Sequence, residues 1–104
     1  MIETNIRQTL LLSVQRALLG DVPATLREVS CGWSGQDIKL RFVFDGEIQP
    51  DDYERSQLVG SEVIGDFPAE WTISEEILRL DYPADLSERR EASAMMLAYQ
   101  RKEC

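Results

Sequence analysis

Nineteen carboxylates and no histidine define the chemistry open to this chain of 104 residues. Histidine is the commonest general base and the usual partner of a serine or cysteine nucleophile, so its absence disfavours sites of those kinds. The two cysteines, Cys31 and Cys104, are too few to form a four-ligand zinc site. The residue types therefore favour either carboxylate chemistry or no catalysis, and we expect no cofactor.

The carboxylates are concentrated in the middle of the chain. Residues 1–46 carry five acids and five bases, whereas residues 47–91 carry 13 acids and four bases, a net charge of −9. A surface of this kind repels nucleic acid and anionic membranes and attracts basic partners. Seven acids in or beside this segment are the predicted partner-binding residues: Asp45, Glu47, Asp51, Asp52, Glu54, Glu75 and Glu76.

Metal binding and acid–base catalysis are two other uses for such acids. A calcium loop of the EF-hand type needs glycine at its sixth position, but the sixth residue counted from Asp45 is Pro50. A looser carboxylate site for a hard cation stays open as an alternative. Acid–base catalysis needs a carboxylate pair at a set separation across a cleft, and spacing along the chain does not define one. We expect no metal and no enzymatic activity. An enzyme that acts through carboxylates stays open as an alternative, ranked after two functions that depend on protein binding.

Ordinary structural roles compete for the same residues. Asp51, Asp52 and Glu54 follow Pro50 in the first turn of a predicted helix, where acids are stabilised by the helix dipole. Glu75 and Glu76 lie within a predicted strand. Charges there either discourage aggregation at a sheet edge or form a negative patch on an exposed sheet. Both interpretations stay open.

The apolar periodicity predicts the elements that position these acids. Helical spacing is found over residues 2–19 and 50–65, and strand patterns over residues 26–33, 37–45, 71–82 and 93–101. The order α-β-β-α-β-β, taken as sequential antiparallel pairs, predicts an α+β two-layer sandwich with two helices on an antiparallel four-stranded sheet. One domain spanning residues 1–104 is expected at this length.

The remaining composition predicts a cytoplasmic protein. No stretch has the 18 or so consecutive apolar residues of a membrane span, and the first 19 residues lack the continuous apolar run of a signal peptide. Cys31 is predicted to be a small apolar residue inside a strand, and two reduced thiols are typical of the cytosol. Trp33 and Trp71 are predicted to fill the core rather than to form a binding hot spot.

Four stretches carry a resemblance to a known class of protein. They are Gly32-Trp33-Ser34-Gly35, the strand from Ile38 to Gly46, the segment from Gly60 to Pro68, and Arg79-Leu80-Asp81-Tyr82-Pro83. Over residues 29–83 the chain resembles small bacterial immunity proteins of polymorphic and contact-dependent growth-inhibition toxin systems. The likeness lies in the general residue pattern and in the order of the elements, with no diagnostic motif.

The resemblance implies a partner and a function. Such immunity proteins bind the C-terminal toxin domain of an exported effector and block it, and many of those toxins are nucleases with basic clefts. The family shares no catalytic residues, so it implies none here. We therefore expect a monomer or weak dimer that binds a basic toxin, not nucleic acid or membrane. The alternative is a small acidic adaptor or regulatory subunit for another basic protein.

Overall fold

The structure is a computed structural model that describes residues 3–86 and 95–103. Within these ranges, two helices and four strands follow one another in the expected order α-β-β-α-β-β. The helices are α1 (Glu3–Leu18) and α2 (Pro50–Ile64), and the strands are β1 (Leu26–Ser34), β2 (Asp37–Phe44), β3 (Thr72–Arg79) and β4 (Met96–Gln100). The first two residues of the predicted strand 93–101 lie outside the described residues.

The sheet is mixed, which corrects the predicted antiparallel sheet. Its strand order is β3-β2-β1-β4. Strand β1 pairs antiparallel with both β2 and β4, whereas β2 and β3 are parallel. Between β2 and β3 the chain runs through α2, and parallel neighbours require a crossover of this kind. The predicted pairing of the third strand with the fourth is therefore wrong, because β4 adds to the opposite edge of the sheet, beside β1.

Both helices cover the same face of the sheet. The alternating apolar residues Ile38, Leu40 and Phe42 of β2 are at most 1% exposed and lie in one apolar cluster with residues of α1 and α2. Cys31 is fully buried in this cluster, and burial raises the pKa of its thiol to about 12. Trp71 is buried in the cluster, as predicted, whereas Trp33 is only half-buried and packs against the cluster from outside.

The opposite face of the sheet is polar but largely buried. Ser30 and Glu28 of β1 are at most 1% exposed, and Arg41 of β2 is 6% exposed. Met95 lies on this face, with its sulfur 3.9 Å from the Ser30 hydroxyl. The alternation of β2 therefore separates an apolar face from a polar face, and burial extends to both.

Short local signals place the ends of the elements. Gly35, in the turn between β1 and β2, has a φ of 62°, and Gly46, which follows β2, has a φ of 85°. Side chains other than glycine rarely adopt such angles. Pro50 begins α2, where its missing N–H leaves no hydrogen bond unmade. Over the described residues, no helix combines the length and apolar character needed to cross a membrane.

Candidate partner-binding surface

The seven predicted acids fall into three groups in the structure. Asp45 and Glu47 lie in the loop after β2, and Asp51, Asp52 and Glu54 lie in the first part of α2. Glu75 and Glu76 are neighbours in β3, so their side chains point to opposite faces of the sheet. The fold therefore brings the loop and the helix acids near one another but does not gather all seven on one face.

Asp45 is engaged within the molecule. Its Oδ2 accepts a hydrogen bond from the Arg101 guanidinium at 3.1 Å, and its Oδ1 accepts one from the backbone N–H of Tyr82 at 3.3 Å. The two contacts tie the end of β2 to the segment after β3 and to the chain after β4. This carboxylate consequently has a structural role at the end of the sheet.

Asp51 and Asp52 also have partners close by. The Asp51 carboxylate accepts a hydrogen bond from Arg55, one helical turn later, at 2.7 Å. Asp52 is 8% exposed, and its carboxylate accepts the backbone N–H of Gln49 at 3.0 Å, which is half of a capping box. The helix-stabilising role that competes with partner binding therefore applies to Asp52 directly.

Replacing Asp52 with alanine should lower the free energy of unfolding by about 1 kcal/mol, because the N–H of Gln49 loses its acceptor at the helix start. Asp51→Ala is the matched control. It removes only an exposed pair one turn apart, which contributes about 0.3–0.5 kcal/mol. Urea unfolding of both variants measures the difference, and an equal loss for the two would contradict the capping role of Asp52.

Glu76 and Glu75 have different surroundings on the two faces of β3. Glu76 forms an ion pair with Arg41 on the polar face. Glu75 lies on the helix side, half-buried against Gly60 of α2, where an added Cβ would overlap its carboxylate. Among the described residues Glu75 has no hydrogen bond or ion pair, and burial raises its pKa. An inward-pointing charge on an edge strand is a known device against strand-to-strand aggregation.

The raised pKa of Glu75 predicts a pH-dependent effect of Glu75→Gln. A group whose pKa is higher in the folded protein favours folding below its unfolded pKa and loses that contribution as the pH rises through the folded pKa. Glu75→Gln should therefore be more stable than the wild type at pH 7, and the difference should vanish below about pH 4, where the carboxyl is protonated. Thermal unfolding across this range tests the effect. Glu70→Gln, at an exposed acid before β3, is the control for the loss of one negative charge.

Four exposed acids are left with neither an ion pair nor a side-chain hydrogen bond among the described residues. Two of them, Glu47 and Glu54, belong to the predicted set. The other two, Glu62 in α2 and Glu70 in the loop before β3, were not predicted. Glu62 follows Glu54 by two helical turns, and neither acid has a base one turn away, a pattern that the sequence already contained. These four side chains are the carboxylates best placed to meet a partner.

A comparison with protein families identifies the kind of partner. The family model described as MafI2 immunity protein matches residues 7–103, nearly the whole chain. The chain belongs to the MafI2 immunity protein family. No curated protein matches it. Members of an immunity family act against a toxin, so the predicted immunity function and a cognate toxin partner are confirmed at this level. The contact-dependent growth-inhibition assignment stays a prediction.

The arginines of this MafI2-family chain leave the surface negative. Six of them each form an ion pair with an acid: Arg16, Arg27, Arg41, Arg55, Arg79 and Arg101. Their positive charge is therefore neutralised within the molecule, while the four exposed acids keep theirs. Of the four exposed acids, only Glu47 and Glu54 belong to the predicted set.

The clefts of the immunity protein do not coincide with these acids. A cleft of about 430 Å³ opens on the polar face of the sheet, and its charged lining residues are Asp37, Lys39 and Arg41. A second, of about 440 Å³, has Arg27, Asp85 and Glu103 as its charged lining residues. Among the described residues no group of three or more acids or cysteines is placed to hold a metal ion. The free acids thus lie on convex helix and loop surfaces.

Proposed function

We propose that this immunity protein neutralises a nuclease toxin by covering the toxin's basic surface with its own acidic one. It acts by binding alone, without catalysis, and it does so in the cytoplasm, as the immunity component of a contact-dependent growth-inhibition system. The family assignment supports the immunity function and the toxin partner. The chemistry of the toxin and the mode of inhibition are the parts proposed here.

The single observation that carries the proposal is the set of unpaired acids. Glu47, Glu54, Glu62 and Glu70 are exposed without ion pairs among the described residues, in a chain of net charge −8. A nuclease must present cationic side chains to nucleic-acid phosphates. Carboxylates can take the place of those phosphates, and complementary charge also accelerates association, which matters when a toxin must be captured before it acts.

The same charges would suit an adaptor that binds some other basic protein. Charge alone does not separate that alternative from an inhibitor. The match to an immunity family over residues 7–103 favours the toxin as the basic partner. We therefore take the adaptor function only as the alternative that a failed inhibition experiment would favour.

A nuclease assay tests the toxin chemistry. A toxin domain encoded beside this gene is first identified by its toxicity on expression. It is then purified and incubated separately with plasmid DNA and with total RNA, and the immunity protein is titrated in. The proposal predicts degradation of at least one substrate and its loss at a 1:1 ratio of the two proteins. Inhibition should weaken as salt is raised, because the association depends on opposite charges. A toxin that leaves both nucleic acids intact would contradict the nuclease chemistry.

A further inference from the structure

The outer surface of the helix pair carries an unusual share of the exposed apolar side chains. Of the large apolar residues that the structure shows as exposed, Leu12, Tyr53 and Leu58 lie on the helices and Leu19 directly follows α1. Leu19 is 78% exposed and Leu58 is 53% exposed. A leucine gains by removal from water, so several in one region mark a surface that another molecule covers.

Two ion pairs fix how the helices lie against each other. Arg16 of α1 pairs with Asp66, just beyond the end of α2, and Arg55 of α2 pairs with Asp21, just beyond the end of α1. Later residues of one helix therefore meet earlier residues of the other, so the two helices run antiparallel. Ser13 also donates a hydrogen bond to Asp66, at 2.6 Å.

These ion pairs bracket the two leucines. Leu19 lies between Arg16 and Asp21 along the chain, and Leu58 lies between Arg55 and Asp66. Both leucines are exposed, and along the chain both lie between residues that join the two helices. We call Leu19, Leu58, Glu54 and Glu62 the helix-pair patch.

The charges of the helix-pair patch select the type of occupant. Glu54, Leu58 and Glu62 are spaced four residues apart and form one row along α2. The two acids have no ion pair among the described residues, whereas the nearby bases Arg16 and Arg55 are each held by an aspartate. A second copy of this chain, docked around a two-fold axis, would bring like acids together. A basic partner would instead place opposite charges beside these acids.

We propose that the toxin docks on the helix-pair patch, with Leu19 and Leu58 as apolar anchors and with Glu54 and Glu62 meeting basic side chains of the toxin. The inference rests on the proposed function and adds the surface that performs it. It also moves the interface away from Asp45, Asp52 and Glu76, which bond within the protein. Apolar anchors in a charged rim are the arrangement that binding hot spots share.

Binding measurements with the purified toxin domain encoded beside this gene test the patch. Leu19→Gln and Leu58→Gln should each weaken the affinity by about tenfold or more, chiefly through faster dissociation. Leu97→Gln is the matched control, because Leu97 is a similarly exposed leucine, 40% accessible, on the opposite face of the sheet. It should change the affinity by less than about twofold, since rim and remote positions contribute little.

A second pair of variants tests the charges. Glu54→Gln combined with Glu62→Gln should slow association and reduce its salt dependence, while Asp37→Asn, at an exposed acid of β2 outside the patch, should do so less. Circular dichroism and thermal unfolding check that every variant keeps the fold. Sedimentation of the immunity protein alone should be unaffected by Leu58→Gln.

The possible failures are distinguishable. If the wild-type protein does not bind the toxin domain, the proposed function is overturned and the patch with it. If the wild type binds but Leu97→Gln or Asp37→Asn weakens binding as much as the patch variants, the function stands and the docking surface is wrong. If the patch variants only convert a dimer to a monomer and leave toxin binding unchanged, the occupant is a second copy, which also overturns the proposal.

Discussion

Replacing Arg27 with methionine is expected to lower the free energy of unfolding by about 3–5 kcal/mol, the usual cost of removing one partner from a buried ion pair. The Arg27 side chain is 2% exposed and makes a two-point contact with Glu103, at 2.7 and 2.9 Å. It also donates to the carbonyl oxygens of Leu80 and Ala84, at 2.6 and 2.9 Å. Methionine keeps the apolar stem but leaves the two carbonyl oxygens without this donor and leaves Glu103 with Arg101 alone.

The Arg27 contacts join three parts of the chain that are distant in sequence. They hold the start of β1 to the segment after β3 and to the residues after β4, and Arg101 extends the network by bonding Glu103 at 2.9 Å. Loss of Arg27 should therefore loosen the C-terminal residues first. Hydrogen exchange near residues 96–103 should accelerate more than exchange in α1.

Arg79→Met is the control for this prediction. Arg79 pairs with Asp81, but its side chain is 54% exposed, so its removal should cost less than about 1 kcal/mol. Urea unfolding measures both variants. A double variant, Arg27→Met with Glu103→Met, should lose less than the two single variants summed, because no charge is left buried alone. Equal losses for Arg27→Met and Arg79→Met would contradict the role of the network.

Lowering the pH should weaken the network of Arg27, Glu103 and Arg101. Hydrogen bonds from Arg27 and then from Arg101 hold the pKa of Glu103 below its usual value. A carboxylate with a lowered pKa adds stability above its unfolded pKa and loses it as the pH falls through the folded value. In the wild-type protein the contribution of Glu103 to the free energy of unfolding should therefore decline below about pH 4. The Arg27→Met variant should show a smaller decline over the same range.

Phe42→Ala is expected to have a comparable effect on stability, about 3–5 kcal/mol, since it removes a large aromatic side chain from the core and leaves a cavity. Phe42 is 1% exposed in β2, a central strand of the sheet, and it belongs to the cluster that joins the sheet to both helices. Phe42→Leu should cost less, because leucine refills part of the space. That variant keeps the test informative if Phe42→Ala does not fold.

Tyr53→Ala is the control for the core prediction. Tyr53 is an aromatic residue of similar size on α2, but it is 43% exposed. Its replacement should cost less than about 1 kcal/mol. Thermal or urea unfolding of the three variants should rank the losses as Phe42→Ala, Phe42→Leu, then Tyr53→Ala. A loss for Tyr53→Ala as large as for Phe42→Ala would contradict the assignment of the core face.

Local patterns in the sequence were sufficient to predict most elements. The strict alternation from Ile38 to Phe44 predicted β2 and its inward face, and Pro50 followed by acids predicted the start of α2. Both signals act over a few residues, because side-chain direction alternates in a strand and proline suits the first position of a helix. Predictions of this kind were accurate to a few residues.

The sheet topology could not be predicted in the same way. Strand direction depends on where the chain returns after α2, and residues 71–82 show no pattern that separates a parallel from an antiparallel neighbour. We assumed that consecutive strands pair, whereas β3 pairs with β2 and β4 with β1. The assumption failed because a helix connects β2 to β3 and permits a parallel pair.

The candidate surface shows the same division between local and distant contacts. The pair of Asp51 with Arg55 and the cap by Asp52 are short-range and follow from helix spacing. The contact of Asp45 with Arg101 joins residues 56 positions apart, so no local pattern indicates that this acid is engaged. The exposure of Leu19 and Leu58 likewise depends on how α1 and α2 pack together, which periodicity alone does not define.

Growth of bacteria that express the toxin domain encoded beside this gene, with and without this protein, is the most direct test of the immunity function. Expression of the toxin domain alone should arrest growth, and co-expression of the wild-type protein should restore it. Co-expression of the Leu19→Gln and Leu58→Gln double variant should restore growth less well, at equal protein levels. Arrest that persists in the presence of abundant, folded wild-type protein would contradict the central claim that this protein neutralises its toxin by binding it.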